Sequence, residues 1–167
     1  QTCTVCGEVL ATALGHTPGA AADCVSDQTC TVCGEVLATK LGHNYGADEY
    51  CTVCGAVNPD ATFAAEVNGK KYLDFAVAYA AAEAGDTVIL LADINATEII
   101  LINKAITLDG NGKTINSTAA RAINVEVNGN VTIKNVTINA AERAINIINK
   151  PANVTVENVI ATANNNA

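Results

Sequence analysis

The sequence predicts a mainly β protein: a parallel β-solenoid with an N-terminal hairpin and a capping helix, preceded by small metal-stapled cysteine-rich repeats. Three observations predict it. Residues 3–51 carry a Cys-x-x-Cys, a histidine and a further cysteine at offsets that recur after 27 positions. Residues 88–156 hold short β-branched runs separated by Asn and Gly, and the tripeptide Ile106-Thr-Leu108 returns as Val131-Thr-Ile133 and Val154-Thr-Val156. Between the two regions, Asn58-Pro59-Asp60 reads as a linker or turn. The boundaries that follow are residues 1–27 and 28–57 for the two repeats, and 58–167 for a solenoid of three to four turns.

The first ligand set is Cys3, Cys6, His16 and Cys24, and the second is Cys30, Cys33, His43 and Cys51. Four soft or borderline donors per unit suit a closed tetrahedral Zn²⁺, so the expectation is structural zinc, two ions per chain. A unit this small, rich in Gly, Ala and Thr, cannot stabilise itself through a hydrophobic core and needs a staple. Gly7, Gly34 and Gly55 follow the three knuckles, where a positive φ lets both sulfurs face one ion. Disulfides also suit a cysteine-rich extracellular chain, but they give His16 and His43 no role and leave one of seven cysteines over. A redox pair lacks its βαβ context. The second site has two versions, because Cys51-Thr-Val-Cys54-Gly copies Cys30-Thr-Val-Cys33-Gly. A Cys₄ set of Cys30, Cys33, Cys51 and Cys54 would leave His43 as a surface residue. Glu8 and Glu35 read as solvated turn residues rather than as a base for a metal-bound water.

In the second part, Phe63-Ala-Ala-Glu-Val67, Asn68-Gly69 and Lys70-Lys-Tyr72 spell a hairpin closed by a primed two-residue turn. Asp74 is placed to cap a helix over 75–84, with Phe75, Val77, Ala78, Ala81 and Ala84 along its apolar stripe and Gly85 as its stop. Strands follow at Val88–Leu91, Glu98–Ile102, Ala105–Leu108 and Lys113–Ile115. The recurring tripeptides place Ile106, Leu108, Val131, Ile133, Val154 and Val156 inward, and Thr107, Thr132 and Thr155 outward. Asn111, Asn135 and Asn158 then fall at equivalent corners, where stacked amides satisfy backbone that no ladder reaches. Arg121-Ala-Ile-Asn124 recurs as Arg143-Ala-Ile-Asn146, so the two arginines should stack on adjacent turns.

The stretch Tyr72 to Val88, with Leu91-Ala-Asp93 and Ile106-Thr-Leu-Asp-Gly-Asn-Gly-Lys-Thr-Ile115, resembles the start of right-handed parallel β-helix domains of the pectate-lyase-like superfamily. It is most similar to those in secreted surface proteins of gut Firmicutes. Cys-Thr-Val-Cys-Gly-Glu-Val-Leu followed by Gly-His resembles a cysteine-rich repeat of the same multidomain proteins. The resemblance implies a bacterial protein, secreted or at the cell surface, and it says little about activity.

The net charge of −8 has no basic cluster set against it, which argues against nucleic acid or an anionic membrane surface as partner. No apolar run reaches a membrane span, and the first residues lack the pattern of a signal peptide. Gln1 and the absence of Met read as a processed or excised piece. Enzymes on this fold need carboxylate clusters or an Arg or Lys base in a groove; the sparse candidates are Arg121 and Arg143, with Glu142 and Glu126 not far off, and the two arginines read instead as solvated corner residues, so no catalysis is expected. The expected function is an extracellular structural module for surface display, adhesion or fibre assembly. Its partner would be another copy at the open solenoid end, or a continuation of the chain. The alternative is a carbohydrate-binding or polysaccharide-degrading β-helix whose groove lies elsewhere, with a glycan as partner, and a third class is a redox or metal-sensing module.

Overall fold

The structure, a computed structural model, describes residues 4–6, 15–148 and 153–163. Cys3, Gly7 and Glu8, as well as the tail 164–167, lie outside the described residues. The chain divides into two units, Gln1–Ala61 and Thr62–Ala167.

In the first unit the only named strands among the described residues are β1 (Gln28–Thr29) and β2 (Val36–Ala38), paired antiparallel. Gly, Ala and Thr offer little to bury there. Its buried hydrophobic residues, among those described, are Cys24, Cys30 and Cys51, while Val25, Val32, Val36, Leu41 and Val53 are exposed.

The second unit is a parallel β-solenoid of about three turns. It opens with β3 (Ala65–Val67) and β4 (Lys70–Tyr72), an antiparallel hairpin whose turn residues Asn68 and Gly69 both take positive φ, as the primed turn requires. Helix α1 (Phe75–Ala81) follows, and its N-cap Asp74 accepts from the Val77 amide at 3.0 Å. Three faces then repeat. β5 (Thr87–Leu90), β6 (Ile94–Ala96) and β7 (Ile100–Ile102) form the first coil, and β8 (Thr107–Asp109), β9 (Thr114–Ser117) and β10 (Arg121–Val125) the second. β11 (Asn130–Ala140) runs across two faces and β12 (Arg143–Ile147) supplies the third, before β13 (Asn153–Ala163) begins another coil.

The sequence repeats set the stacking. Leu108 pairs with Ile133 and Ile133 with Val156, and Arg121 pairs with Arg143. The threonine row is one longer than the tripeptides suggest, because Thr87 lies beside Thr107. Alternation turns Val88, Leu108 and Ile133 into a fully buried column, with Ile115, Ile138, Ile123 and Val125 from the other faces. Each such side chain contributes about 1.5–3 kcal/mol on burial. Val156, expected inward, is 50% exposed, because among the described residues β13 has a neighbouring coil on one side only. Val154 remains partly buried against the core.

The corners carry asparagine. Asn111, Asn135 and Asn158 adopt φ of 50–54°, the left-handed region in which a short amide side chain is tolerated. Asn158 donates to Asn135 at 3.2 Å and Asn135 to Asp109 at 3.1 Å, and a second ladder runs from Asn139 to Asn116 to Asn95. Burial pulls the Asp109 carboxyl up, but the Asn111 amide, the Asn135 amide and Lys134 at 3.3 Å outweigh it and hold the group below its usual range. Its stabilisation is therefore complete above the ordinary carboxyl pKa of about 4 and is lost as pH falls through the lower folded value. Thermal unfolding of Asp109→Asn and of the parent chain should differ most near pH 7, and the two midpoints should converge toward pH 2–3.

The helix is shorter than the expected 75–84, and of its expected apolar stripe it buries Ala78, whereas Val77 is 56% exposed and Ala81 and Ala84 are exposed as well. Two features stop it. Asp86 accepts the Glu83 amide and closes a separate turn, and the Lys104 ammonium takes the carbonyls of Tyr79, Ala80 and Ala82 at 2.7–3.0 Å. A cation on the last carbonyls also opposes the helix dipole. Lys104→Met should cost about 1–2 kcal/mol in urea unfolding, with the loss shared by the helix cap rather than by the coils.

Candidate metal centres

Each knuckle in the described part of the repeats is a turn that points backbone amides at its first sulfur. Gly34 donates to the Cys30 carbonyl at 2.9 Å and Gly55 to the Cys51 carbonyl at 2.8 Å, with φ of 77° and 73° at the two glycines. The Cys30 amide donates to Glu35 and the Cys51 amide to Ala56, so the two knuckles superpose bond for bond. A His-x-x-Gly segment crosses each one. Thr31 donates to Thr17 and Gly19 to Thr29, just as Thr52 donates to Asn44 and Gly46 to Tyr50. These crossings bring His16 Nδ1 to 3.4 Å from Cys33 Sγ and His43 Nδ1 to 3.4 Å from Cys54 Sγ.

Two donor groups result. Cys24, His43, Cys51 and Cys54 place their ligand atoms within 4.8 Å of one another, and so do His16, Cys30 and Cys33. The structure thus groups the candidate ligands differently from the 27-residue repeat. His16 joins the knuckle that follows it rather than Cys6 and Cys24, and His43 and Cys54 act together rather than as alternatives. Cys6 is exposed and outside both groups, and Cys3 lies outside the described residues.

The physical reason is an insertion. The chain passes from Gly46 to Tyr50 through residues 47–49, but from Gly19 to Thr29 through residues 20–28. The longer loop turns at Asp23, whose carboxylate accepts the Val25 and Ser26 amides at 2.8 and 2.6 Å. It is tied to the next repeat where Leu41 donates to the Asp23 carbonyl and Lys40 to the Asp27 carboxylate. Cys24 rides on its tip and reaches 3.8 Å from Cys51 Sγ. One repeat therefore lends a sulfur to the centre of the next.

Electrostatics favour a cation at both places. The amides of Cys54 and Val53, with His43 beside them, bring the Cys51 thiol down to about 5, and those of Cys33 and Val32 bring Cys30 down to about 6. Ionised sulfur is the form that binds metal. Burial, with the hydrogen bonds and charge of Cys54 and Cys51 beside it, pushes Cys24 up to about 12. Glu35 has a role that its turn position hid: its carboxylate lies 3.3 Å from His16 Nε2. Hydrogen bonding to Cys30 and the charge of Glu35 raise the His16 pKa. An acceptor on Nε2 leaves Nδ1 free to face the sulfurs, the usual support of a metal-binding imidazole. Ala56 stands at the matching position of the other knuckle, where His43 stacks instead on Tyr45 at 5.6 Å.

The described cysteines are all unbridged thiols. No helix among the described residues is long and apolar enough to cross a membrane. A scan against protein-family models, and searches of curated proteins and of solved structures, find no match to this chain.

Proposed function

We propose that this chain is an extracellular structural module in which zinc centres staple the cysteine-rich repeats and a capped parallel β-helix of the pectate-lyase-like kind carries them. The observation behind this reading is that the first unit's buried hydrophobic residues, among those described, are three cysteines belonging to Cys/His groups of tetrahedral ligand types. Cys₂His and Cys₃His donor sets with sulfur predominating favour zinc over the harder divalent ions. A unit whose interior is its own ligand set serves as scaffold, and a solenoid whose strand β13 pairs on one side only among the described residues serves as a surface on which a further coil stacks. That coil comes from a continuation of the chain or from another copy, which suits surface display or fibre assembly.

Native mass spectrometry of the full chain with thiol counting tests the proposal. Two zinc ions per chain with unmodified thiols are expected. Metal-free protein with its cysteines oxidised to disulfides overturns it.

A further inference from the structure

Helix α1 and the first coil bound an open cavity of about 420 Å³, a size that holds a small molecule. One wall is the start of the helix, with Asp74, Phe75 and Tyr79; the other is the unbroken stretch 94–101, which runs through β6, the corner at Thr97-Glu98 and β7. Both walls are fixed by contacts already made. Asp74 caps the helix through Oδ1, and Phe75 stacks on Tyr79 with ring centroids 6.2 Å apart. Tyr79 is held at its far end, where its hydroxyl accepts the Asn103 and Lys104 amides at 2.8 and 3.1 Å. The lining is mostly apolar, and Ile99 and Leu101 stay exposed in it. Its charged members are two carboxylates, Asp74 and Glu98, and no lining residue is basic.

We infer that this cavity binds a small organic cation, an amine on an aliphatic stem, with the stem against Phe75 and Leu101 and the charge answered by Asp74 and Glu98. The lining decides the class. An anion would meet two carboxylates and no base. A bare metal ion is disfavoured, because neither carboxylate belongs to a group of donors close enough to grip one among the described residues. A wholly apolar molecule would cover the carboxylates without pairing them, which costs free energy. An amine on an apolar stem satisfies both surfaces at once, and an aromatic face attracts its charge. The helix already displays this chemistry in its own chain, where the Lys104 ammonium lies 5.1 Å from the Tyr79 ring centroid while it binds the helix carbonyls. The net charge of −8 adds a field that gathers cations near the chain. All these residues belong to the second unit, so the inference is independent of the metal centres.

Amide-resolved NMR titration of the full chain with 1,5-diaminopentane, pentan-1-ol, pentanoate and glucose at one ionic strength tests it. The diamine should shift the amides of Phe75, Ala96, Glu98 and Leu101 saturably, pentanol should bind about 10-fold more weakly, and pentanoate and glucose should leave them unmoved. Glu98→Gln, at an exposed corner, should weaken the diamine about 10-fold and leave pentanol as it was, since a charge-assisted hydrogen bond is lost. Ala76→Phe, which fills the cavity from the exposed side of the helix, should remove the response to the diamine, with the thermal midpoint reporting that the variant is folded. Equal affinity for diamine and pentanol overturns the inference, because the cavity is then merely apolar. Unsaturable shifts spread over the acidic surface overturn it as well, as do a saturable response to glucose without one to the diamine, and no response to any probe.

Discussion

Chelation of the full chain at neutral pH should abolish the ordered structure of residues 15–61 and leave the solenoid folded. The expectation rests on what each unit buries. The solenoid encloses branched aliphatic side chains from every coil, a core that owes nothing to metal. The repeats enclose three sulfurs: the Cys51 and Cys30 thiols are brought down to about 5 and about 6, and burial pushes Cys24 up to about 12. Without a cation a buried thiolate lacks its counter-charge, and the short β1–β2 pair has too little area to hold the chain. Structural zinc in units of this size is worth on the order of 10–16 kcal/mol at pH 7, more than any other contribution available to them. Amide hydrogen exchange before and after chelation measures it: the amides of Cys30, Thr31, Cys51 and Thr52 should lose protection, and those of Leu108 and Ile133 should keep it. Cys51→Ser should reproduce the loss at the His43 centre. Retained protection in the repeats after complete metal removal would show that something other than the ion holds them.

The second large effect concerns Gly110→Ala, at the corner between β8 and β9. Its φ lies outside the left-handed region, so alanine meets no backbone penalty there; what it lacks is room. An added Cβ would stand 2.3 Å from Val136 Cβ and 2.6 Å from the Asn135 carbonyl, both in the next coil. Neither atom is the end of a flexible side chain, so the coils must part. Overpacking of this kind costs about 3 kcal/mol or more. Gly112→Ala, two residues on, provides the contrast. Nothing lies within 4 Å of its Cβ, but its φ is +74°, so the cost is the left-handed strain of about 1–2 kcal/mol. Chemical unfolding should rank Gly110→Ala below Gly112→Ala, and adding Val136→Ala should not rescue the former, since the clashing atom is the Cβ that alanine retains.

How much of this was legible in the chain depends on whether the signal was local. The coils were, because a parallel stack pairs like with like: Thr107, Thr132 and Thr155 lie side by side as their tripeptides recur. The hairpin and the helix start were also legible, since Asn68-Gly69 and Asp74 act within a few residues. The helix end was not, because Lys104 reaches it from more than twenty positions away. The pairing of ligands was hidden by the repeat itself. Cys24 and Cys51 align perfectly at 27 positions, yet Cys24 sits on an insertion and Cys51 begins a knuckle. The better alignment matches His16-Thr-Pro-Gly19 to His43-Asn-Tyr-Gly46 and then runs to Cys30 and Cys51, letting the loop lengths differ. His-x-x-Gly was the visible signal, since the glycine amide is what binds the strand before the knuckle.

The asparagine ladders give the solenoid a direction. In every rung the later residue is the giver: Asn116 to Asn95, Asn139 to Asn116, Asn146 to Asn124, Asn153 to Asn130, Asn158 to Asn135. Each of these nitrogens serves the preceding coil, while the oxygens of Asn116, Asn124, Asn130 and Asn135 accept from the following one. The polarity of the stack is thus written in the orientation of a few carboxamides.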